Sequence, residues 1–104
     1  MEQRRTRRFK LQLPLSVTRS GAERVTVPGL TKNISSTGVL FTSARQPDLG
    51  GPIEYVITLN SESPQVVNIR CVGKVLRAER IDRGPIETPF QIAATLERYE
   101  FVRP

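Results

Sequence analysis

The sequence predicts an all-β fold, a small six-stranded antiparallel β-barrel, and three observations support this. A length of 104 residues leaves room for one domain. Apolar and polar residues alternate in short segments separated by turns rich in Gly, Pro, Asn and Ser, which is the pattern of half-buried strands. No long segment has the period of a helix. Closure into a barrel would also remove the exposed edges that so many short strands leave.

Three strands are predicted in the first half of the chain. Every second residue from 11 to 17 is apolar, and Pro14 on the polar face indicates a strand start or an edge. A second strand includes residues 25–27, with an interruption expected near Pro28-Gly29. The second strand resumes at residue 31, and a short polar turn with glycine separates it from a third β-prone segment that ends at residue 42, which predicts a hairpin.

Three further strands are predicted in the second half. Alternation marks residues 53–59, a long run over 67–80 in which Gly73 is a possible bulge, and residues 90–96. The apolar residues after position 96 are out of phase with this last strand. We therefore expect a bend, a bulge or at most a short C-terminal helix there, and a single barrel domain over residues 11–104.

The positive charge is concentrated at the N-terminus. Of the net charge of +6, the first ten residues contribute four, and the remaining residues are close to neutral. Residues 1–10 are therefore predicted to be a flexible basic arm. Arginine outnumbers lysine by 13 to 3. Since the arginine guanidinium binds phosphate and guanine edges bidentately, this bias favours geometric recognition of an anion.

The composition argues against an enzyme or a metalloprotein. The sequence has no histidine and only one cysteine, Cys71, so the usual zinc and haem ligands are missing. Cys71 lies on the apolar phase of its predicted strand, where a buried, unreactive thiol is expected. The acidic residues show no paired arrangement, and we find no nucleophile with a base and an orienting group. No catalytic residue, metal or cofactor is predicted.

A location in the cytoplasm is predicted from what the sequence lacks. The N-terminus is charged and no apolar segment of a signal peptide follows it. No stretch approaches the ~20 apolar residues that cross a bilayer. We therefore expect no membrane association.

Two short motifs indicate a ligand. Arg4 and Arg8 have the spacing R-x-x-x-R, and residues 33–38, NISSTG, form N-x-S-x-x-G. Each has an ordinary structural explanation: the first as a solvated run of charge, the second as a hairpin turn whose glycine supplies a positive φ. In this order, and on this strand pattern, they resemble the PilZ domain family of bacterial cyclic di-GMP-binding barrels. The resemblance covers essentially the whole chain.

The resemblance implies that cyclic di-GMP is the ligand. The residues carried over to its binding site are Arg4, Arg5, Arg8, Asn33, Ser35 and Gly38. Many family members have Asp at the position of Asn33, and many continue into a C-terminal helix. The amide oxygen of Asn33 still accepts hydrogen bonds, so the first departure does not argue against binding.

The chemistry of the ligand fits these residue types. Guanine presents O6 and N7 as acceptors for an arginine fork. Its N1–H and N2–H₂ groups need acceptors, which the Asn33 carbonyl and the Ser35 hydroxyl can supply. Gly38 would allow close approach of the ligand to the backbone, or the turn that aims Asn33 and Ser35. In the family, the arm is thought to wrap over the ligand.

The predicted function is therefore a cyclic di-GMP receptor or adaptor that orders its N-terminal arm on binding and signals to an effector protein. One alternative is a PilZ-like interaction protein that does not bind nucleotide. Another is a small nucleic-acid-binding barrel with a basic arm, which an aromatic content of 6% and a near-neutral body disfavour. The sequence does not distinguish a monomer from a dimer.

Overall fold

The computed structural model describes residues 10–60, 67–81 and 86–102, which form an antiparallel β structure. The predicted arm, apart from Lys10, lies outside the described residues. The strands are β1 (Pro14–Ser20), β2 (Glu23–Ile34), β3 (Gly38–Ser43), β4 (Pro52–Asn60), β5 (Val67–Arg80), β6 (Phe90–Thr95) and β7 (Arg98–Val102).

Six of these strands close into a barrel. The order is β4-β1-β2-β3-β6-β5, and β5 pairs back onto β4. All of these pairings are antiparallel. The seventh strand, β7, pairs with β5 beyond the end of β6. The predicted fold class is confirmed, with one strand more than expected.

The barrel is filled by the inward-facing residues of the alternating patterns. Tyr55 and Phe41 are the largest fully buried side chains, and their ring centroids lie 5.6 Å apart. The Tyr55 hydroxyl donates a hydrogen bond of 3.0 Å to the carbonyl of Thr95, which provides the partner that a buried phenol needs. The rest of the core is aliphatic, apart from one thiol: Leu15, Val17, Val27, Val39, Ile53, Ile57, Cys71, Val75, Ile92 and Ala94.

Strand β2 runs without a break through Pro28-Gly29, so the predicted interruption there is wrong. The Pro28 carbonyl accepts a 3.2 Å hydrogen bond from the amide of Ala44, one residue beyond the end of β3. A strand residue directs its N–H and C=O to the same side, so the missing N–H of Pro28 also points past the end of β3, where the ladder stops. Gly29 is required here because a Cβ would lie 2.1 Å from the carbonyl oxygen of Thr42.

The C-terminal segment is a strand and not a short helix. Strands β6 and β7 follow one another along β5, separated by Leu96 and Glu97. This break between the two strands explains why the apolar residues after position 96 are out of phase with those of β6. Gly73 lies opposite the break, where a Cβ would be 1.8 Å from the carbonyl oxygen of Thr95. Its role is close approach to β6, and the irregular pairing predicted at Gly73 occurs instead between Val75 and Arg77.

Among the described residues, no helix is long and apolar enough to cross a membrane.

Candidate functional site

Four outward-facing residues form a row across neighbouring strands of the barrel wall. Asn33 of β2 is paired with Leu40 of β3, Leu40 with Ala93 of β6, and Ala93 with Arg77 of β5. The residues on either side of Leu40 and of Ala93 are buried in the core, so this row lies on the outer face. The predicted site residue Asn33 therefore shares a surface with Arg77.

Two β-bulges turn the ends of this row outward. Thr31 and Val75 point into the core, so strict alternation would bury Asn33 and Arg77 as well. The pairing shifts by one residue between Thr31 and Asn33, and again between Val75 and Arg77. Each shift inserts an extra residue, which reverses the direction of the side chains that follow. The bulges thus place an amide and a guanidinium on the outside of the barrel.

The row forms the floor of a shallow cavity of about 170 Å³, which we call the motif concavity. Leu76, the extra residue of the β5 bulge, lines it and is 60% exposed. The described residues of the lining include one arginine and no carboxylate. An anionic ligand would therefore meet positive charge and apolar surface here. The full lining is Asn33, Ser35, Thr37, Gly38, Val39, Leu40, Leu76, Arg77, Ala93 and Ala94.

The Ser35 side chain is engaged by the turn between β2 and β3. Its hydroxyl oxygen accepts hydrogen bonds from the amides of Thr37, at 3.3 Å, and Gly38, at 3.1 Å. The Ser35 amide in turn donates to the carbonyl of Gly38 at 2.9 Å. A hydroxyl has two acceptor positions, and the turn occupies both. Among the described residues, by contrast, the Asn33 side-chain amide has no hydrogen-bond partner.

Gly38 allows β3 to approach β6 closely. A Cβ at this position would lie 3.0 Å from the carbonyl oxygen of Ala94, which is tighter than about nine in ten real Cβ contacts, so the neighbouring strand would have to shift slightly. Its φ is not in the left-handed region, which in the described residues is occupied only by Gly21 and Gly50. The purely structural explanation of the motif assumed a positive φ at Gly38. That assumption is wrong, because the turn forms without one.

The chain enters the barrel next to Asn33. Before β1 begins, the Leu13 amide donates to the Thr31 hydroxyl at 2.8 Å, and the Thr31 amide donates to the Leu13 carbonyl at 2.9 Å. The Thr31 hydroxyl also donates to the carbonyl of Leu11. Because β1 and β2 are antiparallel, the chain N-terminal to Leu13 continues along β2 in the direction of Asn33.

The three predicted arginines of the arm, Arg4, Arg5 and Arg8, lie outside the described residues. Chain length permits them to reach the row. Arg8 precedes the anchored Leu13 by five residues, or roughly 17 Å of extended chain. Three strand spacings separate Asn33 from Arg77, about 14 Å.

The buried Cys71 and Tyr55 have no part in this surface. Cys71 is 1% exposed, and burial raises the pKa of its thiol to about 12. Burial also raises the pKa of the Tyr55 phenol, with smaller contributions from Cys71 and Glu97. Both groups stay protonated at neutral pH, as expected for Cys71. In the described part of the chain, no group of three or more His, Cys, Asp or Glu residues could hold a metal.

A second cavity, the distal concavity, lies at the opposite end of β3. Its volume is about 200 Å³, and Glu23, Arg45 and Asp48 contribute charge to its lining. The remaining lining residues are Val17, Ser20, Val25, Val27, Ser43, Gln46 and Pro47. None of the predicted site residues contributes to it.

Known proteins share the sequence pattern and the fold of this chain. The family model described as PilZ domain matches residues 2–99. The chain belongs to the PilZ domain family. PilZ domains are binding and adaptor domains. A solved structure titled "Structure of Bacillus subtilis Inhibitor of motility (MotI/DgrA)" is similar to this PilZ chain with a TM-score of 0.67 and 17% identity. The similarity covers 94% of this chain and 44% of that structure, so this chain spans less than half of it. No curated protein matches the sequence.

The motif concavity includes residues that were not predicted from the sequence. Leu40, Ala93 and Leu76 were not predicted as site residues, and neither was Arg77. The available signal was the basic segment from Lys74 to Arg77, but strict alternation places Arg77 on the same side of the strand as the buried Val75. Only the pairing with β6 reveals that Arg77 and Asn33 belong to one row.

Proposed function

We propose that this PilZ domain is a receptor for cyclic di-GMP that binds its ligand in the motif concavity. The observation that carries the proposal is the outward-facing Asn33, on a floor whose described residues include no carboxylate, beside the point at which the chain enters the barrel. A ligand with two phosphates and two guanines needs both acceptors for guanine donors and positive charge for phosphate.

The geometry supports a division of roles among the site residues. The Asn33 carbonyl accepts from guanine, and Arg77 contacts a phosphate from the barrel wall. Arg4 and Arg8, with Arg5 beside them, bind phosphate and guanine edges from the arm. Ser35 and Gly38 hold the turn and so position Asn33. The role proposed for Ser35 is therefore to support the turn, in place of the direct ligand contact expected from the sequence. No cofactor is needed for this function.

Ordering of the arm is the proposed signal. Fixing the backbone of each arm residue costs roughly 1–2 kcal/mol, which the contacts to the ligand must offset. The ordered arm and ligand then present a new surface to an effector protein in the cytoplasm. In this role the chain is an adaptor and not an enzyme.

Calorimetry with cyclic di-GMP, cyclic di-AMP and GTP tests the proposal. Cyclic di-GMP should bind best, because adenine has a donor where guanine O6 accepts, and each mismatched base should cost about 1–3 kcal/mol. Equal affinity for the two cyclic dinucleotides would show charge attraction without base recognition. Binding of none of the three would leave an interaction protein that does not use nucleotide.

A further inference from the structure

Strand β7 forms an exposed edge with aromatic side chains. Among the described residues, β7 pairs only with β5. Tyr99 and Phe101 are 60% and 64% exposed, and their rings meet edge to face with centroids 6.3 Å apart. Edges of this kind are available for pairing with another strand. Exposed aromatic residues are also typical of protein interfaces.

The opposite face of β7 has charges of alternating sign. Arg98 and Glu100 are both exposed and are two residues apart, so they point to the same side of the sheet. Glu100 already forms an ion pair with Arg70 on β5, with 2.6 Å between Glu100 Oε1 and Arg70 Nη2. The edge therefore has a basic position followed by an acidic one, both on one face.

We propose that β7 pairs antiparallel with β7 of a second copy of this chain, about a two-fold axis at Tyr99. This register places Arg98 of each copy opposite Glu100 of the other, and the two Tyr99 rings opposite each other. Directly opposed strand residues of opposite charge stabilise pairing, as do opposed aromatic residues. The arrangement is isologous, so the same surface of each copy is used and the assembly closes as a dimer.

Neighbouring registers lack this complementarity. With the axis at residue 100, the two Glu100 carboxylates would oppose each other, and with the axis at residue 98 the two Arg98 guanidiniums would. Like charges in directly opposed positions are destabilising. A slip of one residue would pair the aromatic face of one strand with the charged face of the other. Charge thus selects the register at Tyr99.

The proposed contact is small, so a reversible dimer with a dissociation constant in the micromolar range is expected. Sedimentation velocity from low micromolar to millimolar concentration should show the full chain shifting from 11.7 kDa to twice that mass. A parent protein that stays monomeric over this range would overturn the proposal. It is independent of ligand binding, so failure here would leave the proposed function untouched.

A pair of charge-reversal variants tests the register. Arg98→Glu gives a chain with two acidic edge positions, and Glu100→Arg gives one with two basic positions. Each alone should dimerise at least about tenfold more weakly than the parent, because both reciprocal ion pairs become repulsive. Mixed in equal amounts, the two variants should form a heterodimer at least as strong as the parent dimer, because every opposed pair is then of opposite charge.

Two controls complete the experiment. Arg70→Gln removes the ion pair within the chain without changing the edge, so its dimer should match that of the parent. Thermal unfolding of each variant should match the parent, since all three residues are exposed. If both single variants dimerise like the parent, or if the mixture stays monomeric, β7 does not pair in this register and the proposal is wrong.

Discussion

The motif and distal concavities are close in size but differ in charge. Their volumes are about 170 and 200 Å³, so volume alone does not select one of them as the ligand site. Two carboxylates and one guanidinium line the distal concavity, whereas one guanidinium and no carboxylate line the motif concavity in the described residues. Two like charges 4 Å apart repel by about 1 kcal/mol even in water, and by more near a protein surface. A dianionic ligand should therefore prefer the motif concavity.

The two concavities also differ in how their walls are built. The distal one is lined by residues of β1 and β2 and by Ser43 of β3, together with residues 45–48, which belong to the connection between β3 and β4 and supply two of its three charges. The motif concavity has its floor on four paired strands, and two bulges aim its polar groups. A site on paired strands holds side chains more precisely than one on a connection. Charge and rigidity, and not volume, therefore favour the motif concavity as the proposed ligand site.

The largest expected effect comes from the arm, which precedes the segment anchored to β2 at Leu13. Arg8→Ala should weaken cyclic di-GMP binding roughly 10- to 100-fold, because a hydrogen bond to a charged group is worth about 1.5–3 kcal/mol. Arg8→Lys should weaken it nearly as much, since lysine cannot make the bidentate contact. Calorimetry on both variants measures this. If Arg8→Lys binds like the parent, the arm acts as a simple polycation.

Asn33→Ala tests the floor of the motif concavity and should weaken binding by about tenfold, the value of one base contact. Its melting temperature should match that of the parent, since the Asn33 side chain has no partner among the described residues. Asp48→Asn, in the distal concavity, is the matched control and should leave the affinity unchanged. If Asp48→Asn alters the affinity while Asn33→Ala does not, the ligand sites have been assigned to the wrong end of the barrel.

Local alternation was enough to predict most of the barrel. Residues such as Leu15, Val17 and Ile57 are buried where the pattern placed them, because one side of each strand faces the core. The hairpin at the motif was predicted for the same reason, with turn residues between two β-prone segments. Pro28 was misjudged because its tolerance depends on where the neighbouring strand ends, which a single segment does not reveal.

The geometry of the site was not predictable from any one segment. A bulge is a mismatch of two residues against one in the partner strand, so the shifts before Asn33 and Arg77 exist only relative to β3 and β6. Nor does sequence spacing bring these two residues together, because they are 44 positions apart. The motif marks Asn33 as a candidate in the sequence, and only the strand order could add Arg77.

Ser35→Ala tests the turn that supports the motif concavity. Loss of the hydroxyl leaves the amides of Thr37 and Gly38 without their acceptor, which should lower stability by about 1 kcal/mol. The melting temperature should then fall by about 4 °C in calorimetry or circular dichroism. Ser36→Ala, at the exposed neighbouring position, should leave it unchanged. Equal melting temperatures for the two variants would show that the Ser35 bonds do not hold the turn.

The smallest effect on ligand binding is expected for a substitution of Arg77. Together with the same substitution at Arg45, it compares the two concavities most directly. Arg77 and Arg45 are both exposed arginines, one lining each concavity. Because an exposed ion pair is worth at most about 1 kcal/mol, Arg77→Gln should weaken cyclic di-GMP binding by about two- to fivefold. The loss should shrink in high salt, which screens exposed charges. Arg45→Gln removes the same charge from the protein, so any effect of net charge alone would appear equally in both variants. A loss confined to Arg77→Gln places a phosphate at the β5 end of the row, whereas equal losses would mean that the barrel wall contributes only a diffuse positive field.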